Sequence, residues 1–137
     1  MFSGKTVFIL SLLLSSLLIA PILSDVQAQQ SDDGETFLVH TVFFWFHGDV
    51  TEEESRDFYH ELQKLQEIPQ IIHGWIGVPA PTEERGVIDS SYNYSITFVF
   101  DSVEAEAEYQ VHPIHTEFVE KNVRLWDRVV VYDAINP

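Results

Sequence analysis

The segment Thr36–His47, TFLVHTVFFWFH, restricts the fold more than any other stretch of the chain. It is dense in β-branched and aromatic residues, the composition of a strand. Side chains alternate across a strand, so Leu38, Val42, Phe44 and Phe46 share one face, while Phe37, Val39, Phe43 and Trp45 share the other. Both faces are apolar. A sheet built on this strand has to be covered on both sides.

The following segments supply one of the covers. Thr51-Glu-Glu-Glu54 is a capping box with acidic residues at the positive end of a helix, and predicts a helix to about Glu67. Phe58, Leu62 and Leu65 give that helix one apolar stripe, and Ile68-Pro69 stops it. Ile71 to Pro79 reads as a second strand, loosened by Gly74 and Gly77. Ala80 to Ser91 is polar and reads as a mobile loop. Tyr92 to Phe100 alternates cleanly and is the third strand, with Tyr94 on the face of Ile96 and Phe98. Asp101-Ser-Val-Glu104 caps a short helix to about Gln110, Ile114 opens another to about Arg124, and Trp126 to Ala134 carries the last strand.

The order β, α, β, β, broken α, β is the split βαβ, ferredoxin-like arrangement: an α+β fold with a four-stranded antiparallel sheet and helices on one face. Helices on one face leave Val39, Phe43 and Trp45 bare on the other, a patch that seldom faces water in a monomer. A second copy stacked sheet to sheet would bury it. The expected assembly is therefore a homodimer, a dimeric α/β barrel.

Of the 137 residues, the first 28 read as a signal peptide. Lys5 supplies a short positive region, Val7 to Ala20 an apolar core, and Val26-Gln27-Ala28 small residues at the two positions a signal peptidase reads. The rival is an uncleaved anchor, because Thr6 to Leu23 is almost long enough to span a bilayer. Residues 29–35 form a polar tail and 36–137 the single domain. The expected location is secreted or periplasmic, with no membrane contact after cleavage. There is no cysteine, so packing alone holds the domain together. Loss of residues 1–28 leaves six basic against 21 acidic residues, a net −15, which repels nucleic acid and anionic membrane surfaces.

The chemistry concentrates in Tyr109-Gln-Val-His112-Pro-Ile-His115, a phenol and two imidazoles within seven residues. Pro113 disfavours helical geometry at His112 and suits the first turn of a new helix. Tyr109 and His115 thus flank a helix break, where their side chains can converge beside the sheet as a proton-transfer pair. On the residues alone, such a pair is more often two half-buried amphipathic side chains that seal one end of a core. His40 shares a face with Leu38 and Val42; a lone histidine there is more often a satisfied core residue than a functional one. His40, His112 and His115 could gather a divalent metal, but no carboxylate or cysteine joins them at a recognised spacing. No metal or other cofactor is expected. His47, His60 and His73 fall at strand ends or on an exposed helix face, and no phosphate loop or nucleophile elbow is present.

Four stretches carry a family resemblance: VHTVFFWF (Val39–Phe46), TEEESRDFYHELQKLQEIP (Thr51–Pro69), FVFDSVEAEAEYQVHPIHTEF (Phe98–Phe118) and LWDRVVVYD (Leu125–Asp133). In these the chain resembles the stress-responsive A/B barrel, or Dabb, family, and the Y-x-x-H-P-x-H cluster is the most specific of them. The resemblance implies a dimeric α+β barrel with a cavity between sheet and helices, suited to a small apolar or aromatic ligand. Some relatives are plant cyclases that close a polyketide by aldol condensation. In those the final histidine of the cluster is the general base and its tyrosine orients the substrate, roles that would fall on His115 and Tyr109. The cyclases also carry a histidine on the first strand, matched by His40, and one on the third, where this chain has Tyr94. A tyrosine keeps a hydrogen-bonding hydroxyl but does not titrate near neutral pH. The resemblance thus implies either a small-molecule-binding or catalytic dimer, or a non-catalytic stress-linked module. A weaker likeness is to cofactorless monooxygenases of the same barrel shape.

Overall fold

A computed structural model of the chain describes residues 36–136. The expected signal peptide (1–28), the whole polar tail (29–35) and Pro137 lie outside the described residues. The elements are β1 (Leu38–Phe46), α1 (Glu52–Leu65), β2 (His73–Gly77), β3 (Tyr94–Phe100), α2 (Val103–Gln110), α3 (Pro113–Asn122) and, after a 3-10 turn at Val123–Leu125, β4 (Trp126–Ile135). The sheet order is β2-β3-β1-β4, all pairs antiparallel. This is the ferredoxin-like α+β fold expected from the element order.

The register makes the two faces explicit. On one face Gly74, Phe98, His40 and Asp133 form a row across the four strands, and Ile76, Ile96, Val42 and Val131 form the next. The helices cover this face, where Leu38, His40, Val42, Phe44, Ile96, Phe98 and Phe100 are buried. Phe58, Leu62 and Leu65 of α1 and Phe118 of α3 pack on them, each such side chain contributing roughly 1.5–3 kcal/mol on burial. Gly74 has a specific use here: a Cβ would come within 3.0 Å of the Phe98 ring, so the glycine gives that ring its place.

The opposite face carries Trp75, Thr97, Thr41 and Tyr132 in one row and Phe43 with Val130 in the next. No helix among the described residues covers it, and Trp75 and Tyr132 are 59% and 64% exposed. Trp45 on this face is partly covered by its own chain: Arg128 lies 3.6 Å above its ring and its Nε1 donates to Ser91 Oγ at 2.8 Å.

Capping follows the sequence at α1 and departs from it at α2. Thr51 Oγ1 accepts from Glu54 N, and the Glu54 carboxylate accepts from Thr51 N, which closes the expected box. The other Glu54 oxygen accepts from Arg124 at 2.7 Å. The Thr51 backbone bond, then Arg124 and the Thr51 hydroxyl, hold this carboxyl at about 2. At α2 the cap is Ser102, whose hydroxyl accepts from Ala105 N, one residue later than the Asp101 box predicts.

Candidate functional site

The site is created by the end of α2. Pro113 takes the first position of α3, and His112 before it is extended (φ −64°, ψ 138°), as the residue before a proline prefers. The His112 ring caps α3 by accepting from Ile114 N at 3.3 Å. The chain thereby reverses, and His115 comes back against Tyr109 with ring centroids 4.5 Å apart.

Hydrogen bonding assigns the roles of the nitrogens. His115 Nδ1 lies 2.9 Å from the Gln110 carbonyl oxygen. A carbonyl only accepts, so Nδ1 carries the proton and Nε2 presents a lone pair. Burial lowers the His115 pKa; the Gln110 bond and Glu106 oppose this, while His40 adds to it. The half-buried imidazole is therefore neutral, and basic, at neutral pH. Tyr109 is 1% exposed, and its hydroxyl makes no hydrogen bond among the described residues. Burial, with the nearby Glu106 carboxylate, raises its pKa, so it stays protonated and remains a donor.

His40 stands with its ring 5.9 Å from that of Tyr109. It is 4% exposed, and its Nδ1 donates to Asp133 Oδ1 at 2.7 Å with Glu106 Oε1 at 4.0 Å. The Asp133 bond is a direct consequence of sheet register, since the two residues are cross-strand partners. His40, Tyr109 and His115 line one cavity of about 200 Å³, walled by Val42, Ile96, Phe118 and Val129. Val131, on the same wall, is 48% exposed, so the cavity opens to solvent along β4. A larger and wider-open hollow of about 540 Å³ lies at the other end of β1, between Phe46, Ser55, Arg56 and Asn93. Size does not choose between them. Only the smaller one is lined by both the His115 imidazole and Tyr109, whose hydroxyl has no partner among the described residues.

Tyr94 does not join this group. It lies on the covered face as its parity requires, but beneath α1, where its hydroxyl donates to the Ser55 carbonyl at 3.2 Å and its ring stacks on Tyr59. His47, His60 and His73 are exposed.

The family model for the stress responsive A/B barrel domain, Dabb, matches residues 38–136. The chain belongs to the Dabb family. Olivetolic acid cyclase from Cannabis sativa is 22% identical over 95 residues, which cover 69% of this chain and 91% of that protein. Among solved structures, hydroxynitrile lyase from Passiflora edulis superimposes with a TM-score of 0.63 at 18% identity, covering 74% of this chain and 94% of its own. A dimeric ferredoxin-like protein of unknown function from Thermobifida fusca YX gives 0.62 at 19% identity, covering 74% and 92%.

In this Dabb chain three contributors to the site escaped the sequence. Asp133 carries a signal, sharing its strand parity with Val129 and Val131 on β4, but its partner becomes visible only once the β1–β4 register is known. The Gln110 carbonyl that sets the His115 tautomer is backbone and has no signature. Glu106 reads as part of a solvated acidic helix, yet its side chain is only 16% exposed beside His40.

Proposed function

We propose that this Dabb protein is exported, forms a homodimer, and binds a small carbonyl compound on which His115 and Tyr109 act as base and acid. One observation carries the reading: the Gln110 carbonyl fixes the His115 tautomer with Nε2 free, and the ring of Tyr109, whose hydroxyl has no partner among the described residues, packs 4.5 Å from the His115 ring in the same cavity. In the proposed step His115 Nε2 takes a proton from the carbon beside a substrate carbonyl. The C–H electron pair moves into the C–C bond and the carbonyl π pair onto oxygen, where the Tyr109 O–H donates to the developing charge. The enolate carbon then attacks a second carbonyl, and His115 returns its proton to the new alkoxide. That a cyclase and a lyase share the fold supports chemistry of this kind.

The step can be tested without the natural substrate. The wild type should accelerate exchange of the methylene protons of phenylacetone with deuterium from heavy water. His115→Ala should slow that exchange by roughly 10²–10⁴-fold, the usual contribution of a general base, with an almost unchanged melting temperature. Tyr109→Phe should slow it less. Equal rates in wild type and His115→Ala would end the proposal.

The homodimer rests on the bare aromatic face and on the dimeric state of the Thermobifida fusca protein. Tyr132→Glu should give a monomer in sedimentation; an unchanged dimer would locate the contact elsewhere. Export rests on Lys5, the apolar stretch Val7 to Ala20 and the Val26-Gln27-Ala28 site, and mass spectrometry of the chain from its host should find Gln29 as the first residue.

A further inference from the structure

We infer that the cavity accepts uncharged carbonyl compounds whose enclosed part is one ring with a short substituent, and rejects carboxylates and phosphates of the same shape. This rests on the proposed reading of His115 and Tyr109 as groups that face the ligand, and adds to it the ligand's charge and size.

Size comes from the volume. A dry cavity of about 150 Å³ holds benzene, and this one measures about 200 Å³. That leaves room for a ring and a few further atoms before the ligand reaches the mouth at Val131.

Charge comes from where the cations are. Lys64 and Lys121 both bond Glu61, which ties α1 to α3. Arg124 bonds Glu54. Arg128 lies over Trp45 on the opposite face of the sheet. Arg56 and Arg85 line other hollows. Among the described residues, no lysine or arginine therefore lines the cavity. The charges beside it are negative: Glu106, whose side chain is 16% exposed, and Asp133, which accepts from His40. Any positive charge on His40 is already faced by these two carboxylates, and the apolar walls offer an anion no replacement for its lost water. An anionic ligand would enter unpaired and against like charge. A neutral carbonyl needs only the Tyr109 hydroxyl.

The inference can be tested with three ligands of one shape: phenylacetone, phenylacetamide and phenylacetate, titrated against the full mature chain while the His115 ring resonances are followed by NMR. The two neutral ligands should move those resonances, and phenylacetate should bind more weakly by about tenfold or more, a difference of about 1.4 kcal/mol. Glu106→Gln, which keeps the shape and removes the charge, should narrow the gap. Phenylacetate binding as tightly as phenylacetone would overturn the inference and leave the acid–base reading standing, as would an unchanged gap in Glu106→Gln. His115 resonances that respond to none of the three would overturn both.

Discussion

The layer between sheet and helices has two ends of similar composition and opposite character. Under α1, Phe58 meets Phe44, Phe46 and Tyr94 at ring-centroid distances of 5.2, 4.9 and 5.5 Å, and the half-buried Tyr94 hydroxyl is bonded to Ser55. Under the α2–α3 break, Tyr109 is packed as closely, against Phe100 at 5.2 Å and His115 at 4.5 Å. There, however, its hydroxyl has no partner among the described residues and the His115 Nε2 lone pair is open. That hydroxyl is not fully buried, so it faces the cavity rather than the packed core, whereas the Tyr94 hydroxyl is spent on the fold. One end is finished as structure. The other leaves a hydroxyl and a lone pair open to the cavity.

The comparison breaks most visibly at the packed end. Phe58 is fully buried and central to its cluster, so Phe58→Ala should destabilise the domain by about 3–5 kcal/mol. That is a large share of the 5–15 kcal/mol a domain usually has. Denaturant unfolding measures it. A loss below about 1 kcal/mol would mean that α1 is not the anchor of the fold.

Acid separates the two ends by degree. Burial disfavours the imidazolium of His115, so its folded pKa lies below its unfolded value of about 6.5. The unfolded chain binds that proton first, so the associated stability is present above pH 6.5 and is lost as pH falls toward the folded value. Exchange catalysis should fall over the same range, with a midpoint below 6.5. The Glu54 cap of α1 behaves as a lowered carboxylate. Its contribution is present above about 4.5 and disappears only as pH falls toward about 2. Activity should therefore fade before helix content does. Loss of helical circular dichroism and activity at the same pH would show that the two ends do not titrate separately.

The packed end was the more legible in the sequence. Its elements are set by short-range signals: Thr51 and Glu54 for the start of α1, the Phe58–Leu62–Leu65 stripe for its buried side, alternation for β1 and β3. Tyr109 and His115 were legible for a similar reason, since Pro113 forces a break whose geometry is local. Their surroundings were not. The bond of Asp133 to His40 depends on the pairing of strands 93 residues apart, and Tyr94 shows the converse failure. Parity placed it on the correct face, but parity does not say which helix lies above it. The Ser102 cap was missed because Asp101 and Ser102 are adjacent and both suit the position.

The smallest effect is the sharpest test of the comparison, because it removes one oxygen atom from each end. Tyr94→Phe deletes a paired hydroxyl and should destabilise the domain by about 0.5–1.5 kcal/mol, the net worth of an ordinary hydrogen bond. Its rate of phenylacetone exchange should stay within about twofold of wild type. Tyr109→Phe deletes an unpaired hydroxyl in an equally tight ring cluster. It should leave stability unchanged within about 0.5 kcal/mol or raise it slightly, while slowing exchange. The two variants are isosteric, so differences in packing cancel between them. What remains is whether each hydroxyl serves the fold or the ligand. A Tyr109→Phe protein that loses stability and keeps its rate would make that tyrosine a core residue like Tyr94. A Tyr94→Phe protein that loses its rate would extend the site across the sheet to the Ser55 end.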